Sequence, residues 1–128
     1  MSVTVVTVDD QAPFRDAARD VIEATPGFEA VGEADGGVNA LAVVDRLAPQ
    51  LVLLDVYMPD VDGIETAQRI KLAHPSTVVV LISIEDSANL PAAATAVSGA
   101  AALVLKQDFR PALLRDLWAR HGTASEAN

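Results

Sequence analysis

Charged or hydroxyl-bearing residues stand at the ends of the apolar runs of this chain: Asp9 and Asp10 after Val3–Val8, Asp55 after Leu51–Leu54, Ser83 after Val78–Ile82, and Lys106 after Leu103–Leu105. Carboxylates gathered at one place repel one another, which raises the cost of ionising all of them. A Mg²⁺ ion relieves that repulsion; it prefers oxygen ligands in an octahedral shell and retains some of its waters. A carboxylate can also act as a covalent nucleophile. A lysine supplies positive charge, and a hydroxyl supplies a hydrogen-bond donor to phosphoryl oxygens. Phosphoryl transfer needs little beyond in-line positioning and charge stabilisation. These residue types make Asp55 a candidate phosphate acceptor.

Such chemistry requires that the runs end side by side. Apolar runs alternate with amphipathic stretches, the pattern of an α/β domain with a parallel sheet. Val3–Val8, Leu51–Leu54 and Val78–Ile82 are almost continuously apolar, as expected of strands covered by helices on both faces. Phe28–Glu33 alternates more and reads as an edge strand, and Ala102–Leu105 as the fifth strand. Right-handed crossovers bring the carboxyl ends of parallel strands to one edge of the sheet, where ligands of open α/β sheets bind.

The first helix is expected to bury Phe14, Ala17, Ala18, Val21 and Ile22, with Pro13 in its first turn. A second runs from about Val38 to Leu47, with Ala40, Leu41, Val44 and Leu47 inward. A third is capped by Asp62, with Glu65 three residues on. A fourth, over about Ser87–Val97, closes at Gly99. A fifth, after Asp108, places Phe109, Ala112, Leu113 and Leu117 on one face, with Leu114 and Trp118 making it apolar on a further side. Asp60 reads as a loop residue, Gly36-Gly37 as a turn or helix start, and His74 and His121 as exposed residues without assigned chemistry.

A length of 128 residues fits one domain, spanning 1–121, with a polar tail or linker start at 122–128. The net charge of −9 argues against direct nucleic-acid binding, which rests on cationic contacts to phosphates. The longest apolar stretch, Ala100–Leu105, is far short of the roughly 20 residues that cross a bilayer. No basic segment followed by an apolar core opens the chain, and there are no cysteines, which suits a cytoplasmic protein.

From about Val3 to Trp118 the chain resembles the receiver domain of bacterial two-component response regulators. The resemblance rests on Asp9-Asp10, on LLDVYMPDVDG at Leu53–Gly63, on LIS at Leu81–Ser83, and on GAAALVLK at Gly99–Lys106. The stretches Val31–Gly37 and Leu105–Leu114 are most similar to receivers of LuxR-type transcriptional regulators. The resemblance implies a flavodoxin-like α/β sandwich with a parallel five-stranded sheet in the order 2-1-3-4-5. It implies that Asp55 accepts a phosphoryl group from a sensor histidine kinase. It further implies a Mg²⁺ ion bound by Asp10, Asp55 and the backbone carbonyl of Tyr57, with Asp9 acting through a water. Lys106 would pair with the phosphoryl group, and Ser83 would move to hydrogen-bond it.

That event would switch the surface of the fourth helix, fifth strand and fifth helix toward an output partner, with Ala92–Ala94 and Trp118 as places to look for it. Homodimers through that surface, or through the first and fifth helices, are candidate assemblies. The module would catalyse only its own phosphorylation and dephosphorylation. Tyr57 and Glu85 occupy positions that tune phosphoryl lifetime in the family. Leu103 stands where the family often has an aromatic residue, and Gln107 where it often has proline, so no cis bond is expected there. Two rival functions are an aspartyl-nucleophile phosphatase, which would want a second aspartate at the position of Tyr57, and an interaction module that is never phosphorylated.

Overall fold

The protein is described from a computed structural model that covers residues 2–84 and 97–122. Five parallel strands, β1 (Val3–Val8), β2 (Phe28–Ala34), β3 (Leu51–Asp55), β4 (Val78–Ser83) and β5 (Ala102–Leu105), form one sheet in the order β2-β1-β3-β4-β5. Helices α1 (Ala12–Glu23), α2 (Gly37–Leu47) and α3 (Gly63–Ala73) connect the first four strands. A short 3-10 turn, Lys106–Asp108, follows β5 and leads to the C-terminal helix, Pro111–His121. This is the α/β flavodoxin-like sandwich expected from the sequence. The expected fourth helix falls mostly on residues 85–96, outside the described residues, as do Glu85 and Ala92–Ala94.

Alternation along the strands divides the core in two. Val52 and Leu54 of β3 enter a cluster with Ala40 and Val44 of α2 and Ala67 and Ile70 of α3. Leu51 and Leu53 point the other way, to Ala18 and Ile22 of α1 and to Leu114 and Leu117 of the C-terminal helix. Every residue of β3 and β4 is buried. Removing one such leucine side chain from water contributes about 1.5–3 kcal/mol, so these two strands anchor the sheet and fix where their ends lie.

Several faces differ from those expected. Ala17 and Ala112 are exposed, because the inward stripes centre on Ala18–Ile22 and on Leu114–Leu117 and a methyl group adds little to either. Phe109 precedes the C-terminal helix, since the 3-10 turn intervenes, yet it still enters the core. Leu114 is fully buried, and Trp118 packs half-buried against the same cluster, so the apolar breadth of this helix is core-facing. No cis peptide bond occurs among the described residues.

Candidate functional site

The ends of β1, β3 and β4 and the turn after β5 meet at one edge of the sheet. The backbone N–H of Asp9 donates to the carbonyl of Ala34 at 3.0 Å, which extends the β1–β2 ladder by one residue and draws Asp9 under the surface. Its Oδ1 accepts from the N–H of Gln11 at 2.7 Å. Its carbonyl accepts from Arg15 Nη1 at 2.6 Å, and Arg15 is tied in turn to Glu33 at 3.4 Å. Asp9 is thus braced from α1 and β2, with its second oxygen left facing the site. Asp10, the most open of the acidic residues, accepts from Gln11 Nε2 at 3.4 Å.

Asp55 is the last residue of β3 and is buried. Its Oδ1 accepts from the N–H of Tyr57 at 3.3 Å. The backbone beyond it is held by Val56 N–H on the Ile82 carbonyl at 3.0 Å and by Gly63 N–H on the Val56 carbonyl at 2.8 Å. The second bond brings the start of α3 against the strand end. A Cβ on Gly63 would lie 2.2 Å from the Asp55 carbonyl oxygen and 2.7 Å from Val56 Cα. Only a glycine fits there without moving the backbone of Asp55 and Val56.

Asp9, Asp10 and Asp55 each offer a carboxylate oxygen, all within 4.8 Å of one another. Lys106 brings its ammonium to two of them. Its Nζ lies 2.6 Å from Asp9 Oδ2 and 3.8 Å from Asp55 Oδ2. The contact with Asp9 is one of charge rather than of directed hydrogen bonding, so the buried Asp9 Oδ2 accepts no hydrogen bond. Ser83 ends β4, fully buried and in register with Leu105, one residue before Lys106. Asp10, Gln11, Asp55, Tyr57, Ile84 and Lys106 line an open cavity of about 300 Å³, large enough for a phosphoryl group.

The electrostatics are those of an acid cluster with too little positive charge. The Asp55 carboxyl is pushed up from 3.8 to about 6, first by burial and then by Asp9, with Asp10 adding to it. Lys106 and the Tyr57 N–H oppose that rise without cancelling it. An all-oxygen donor set, a buried carboxylate oxygen lacking a hydrogen-bond donor and a carboxyl resisting ionisation together fit a hard divalent cation such as Mg²⁺.

The structure brings Asp9, Asp10, Asp55 and Lys106 together, and Ser83 ends the neighbouring strand in register with Leu105. It also gives roles to residues that sequence reasoning passed over. Asp60 caps α2: its Oδ1 and Oδ2 accept from the N–H groups of Gly37 and Val38 at 3.1 Å each, and Oδ1 also accepts from Val61 N–H at 2.7 Å. These bonds hold its carboxyl below the ordinary range. Asp62 caps α3 as expected, accepting from Glu65 N–H at 2.8 Å, while Glu65 pairs forward with Arg69. His74 is not an exposed bystander; it is half-buried at the end of α3 and lies 2.7 Å from Asp45 of α2. Phe14, read as a core residue, lies with its ring centroid 4.7 Å from Lys106 Nζ. Its place in the first turns of α1, just above the end of β1, was the available signal.

An α/β sandwich carrying an acidic cluster and a lysine at its strand ends defines a class. Residues 5–117 match the response regulator receiver domain family. The chain belongs to that family. Among curated relatives, the transcriptional regulatory protein DegU of Brevibacillus brevis is 31% identical over 84 residues, 66% of this chain and 36% of the relative. A protein-glutamate methylesterase/protein-glutamine glutaminase of Geobacter metallireducens is 33% identical over 109 residues, 85% of this chain and 31% of the relative. The chain therefore spans about a third of the length of these relatives. Among solved structures, the signal receiver domain of NarL from Mycobacterium tuberculosis is 30% identical, with a TM-score of 0.80 over 93% of this chain and 95% of that one. A LuxR-family response regulator from Aurantimonas shares the fold at a TM-score of 0.82 and 24% identity, covering 94% of this chain and 84% of that one.

Proposed function

We propose that this receiver domain is a phosphorylation switch with Asp55 as the acceptor. The observation that carries the reading is the convergence of Asp9, Asp10 and Asp55 within 4.8 Å, beneath a lysine. Mg²⁺ would be held by Asp10, Asp55 and the Tyr57 carbonyl, with Asp9 acting through a water; when bound, it supplies charge neutralisation for the incoming phosphoryl group. A carboxylate oxygen of Asp55 attacks the phosphorus of a kinase phosphohistidine. The P–N bond breaks, its electron pair returns to the imidazole, and an acyl phosphate forms on Asp55. Lys106 compensates the added charge, and the Ser83 hydroxyl donates to a phosphoryl oxygen.

The added group carries about −1.5 to −2 charge. Its pull on Ser83 biases the packing of β5 and the adjoining helices, and so the surface an output partner reads. Leu103, half-buried against the core in β5, replaces the aromatic residue frequent at that position, so the switch works without ring rotation there. Residues 1–121 form the receiver unit and 122–128 its tail. The histidine kinase is the donor partner, the location is cytoplasmic, and any DNA contact belongs to an output domain rather than to this acidic surface. Among the described residues no helix is long and apolar enough to cross a membrane.

Incubation with acetyl phosphate and Mg²⁺, followed by intact mass, tests the reading. One phosphoryl group should add to the wild type and none to Asp55→Asn or to protein treated with chelator. Failure of the wild type to gain it, with no response to beryllofluoride, would favour a non-phosphorylated interaction module.

A further inference from the structure

The ammonium of Lys106 rests among three partners: Asp9 Oδ2 at 2.6 Å, Asp55 Oδ2 at 3.8 Å and the face of Phe14 at 4.7 Å to the ring centroid. The side chain of Lys106 is 13% exposed, and a desolvated cation gains more from an aromatic face than an exposed one does. The ring is itself held. Phe14 meets Phe109 at 6.3 Å between centroids and a tilt of 51°, and Phe109 is rooted in the core with Leu114 and Leu117. Pro13 stands in the first turn of α1 just before it, so the ring has a fixed seat near the end of β1.

We propose that Phe14 is a positioning residue that holds the Lys106 ammonium on the Asp9 side of the acidic cluster, where it competes with a divalent cation for Asp9. The inference rests on the cation-binding role proposed above for the cluster. Asp9 Oδ1 is already engaged by Gln11, so Oδ2 is the oxygen that the ammonium and the cation's hydration shell both seek. Loading the cation displaces the ammonium, and Asp55 Oδ2 is the nearest remaining carboxylate oxygen described. The lysine therefore reaches the acceptor when the cation arrives, and rests against Phe14 and Asp9 when it is absent.

The test is a double-mutant cycle read by Mg²⁺ calorimetry, with side-chain NMR of Lys106 in metal-free protein. In the wild type the CH₂ protons beside Nζ should be shifted upfield by the ring current. Phe14→Tyr should keep that shift and the wild-type affinity, and Phe14→Leu should abolish the shift. Loosening the competitor should make Phe14→Leu bind Mg²⁺ about two- to fivefold more tightly. In a Lys106→Met background the same change should leave affinity unaltered, because the competing ammonium is gone. Absence of the ring-current shift in the wild type overturns the positioning role. Equal effects of Phe14→Leu with and without Lys106 overturn the competition and leave a purely structural role. A wild type that binds no Mg²⁺ overturns the cluster's proposed cation role, and the exchange with it, while the ring-current result still decides whether Phe14 seats the lysine.

Discussion

Asp55→Asn should make the metal-free protein more stable, although it removes the proposed acceptor. The carboxyl of Asp55 sits at about 6 rather than 3.8, because burial and Asp9 disfavour its charge. The folded state thus holds this proton more tightly than the unfolded chain does. Stability is full below about pH 4, falls as pH rises through 6, and stays reduced above it. A displacement of two units corresponds to about 3 kcal/mol. Asparagine keeps the shape and an oxygen for the Tyr57 N–H, but its amide group must itself be buried in the site, and that desolvation offsets part of the gain. The expected net effect is about 1–2 kcal/mol in favour of Asp55→Asn at pH 7, shrinking to nothing near pH 4. Urea denaturation of both proteins from pH 4 to 8 in chelator measures it. Saturating Mg²⁺ should narrow or reverse the gap, since a ligand of the folded state stabilises the form that binds it better. A variant no more stable than the wild type at pH 7, or a gap that ignores pH, would refute the electrostatic account of the cluster.

Gly63→Ala should lower stability by about 3 kcal/mol and slow phosphorylation, because the new methyl meets the backbone of Asp55 and Val56; denaturation and the acetyl phosphate assay together check this. Asp60→Ala should lower Tm by roughly 3–6 °C through loss of the α2 cap, as calorimetry would show. The depressed Asp60 carboxyl means that this contribution persists at neutral pH and is lost only as pH falls through its lowered value. Tyr57, 47% exposed over the same cavity as Asp55, should shield the acyl phosphate from water. Tyr57→Asn should therefore speed dephosphorylation severalfold, and an unchanged decay of the phosphorylated species would count against the shielding.

Much of the sheet was legible because parallel strands buried on both faces leave continuous apolar runs, as at Leu51–Leu54 and Val78–Ile82. The strand-end residues were legible for the same reason: a polar residue closing such a run has to emerge at the sheet's edge. The order of the strands came from family resemblance rather than from the runs. Alanines such as Ala17 and Ala112 were assigned inward and lie outward, because a single methyl carries almost no burial signal. The caps and pairs made across long separations were not legible. Asp60 finds Gly37 and Val38, and His74 finds Asp45, only once α2 and α3 are laid side by side. Phe14 looked like one more apolar residue on a helix, and its meeting with Lys106 depends on how α1 and the turn after β5 are brought together.

The pairing of Asp9 with Lys106 joins the first strand of the sheet to the turn after the fifth, and that bears on the order in which the site is made. On the ribosome, Asp9 and Asp10 emerge with β1 and Asp55 with β3, all before the lysine is synthesised. Until β5 is translated, the growing chain carries a group of mutually repelling carboxylates with no ammonium among them. The segment from β5 into the turn after it therefore delivers the counter-charge as well as an edge to the sheet, and charge balance at the site waits until that segment is made.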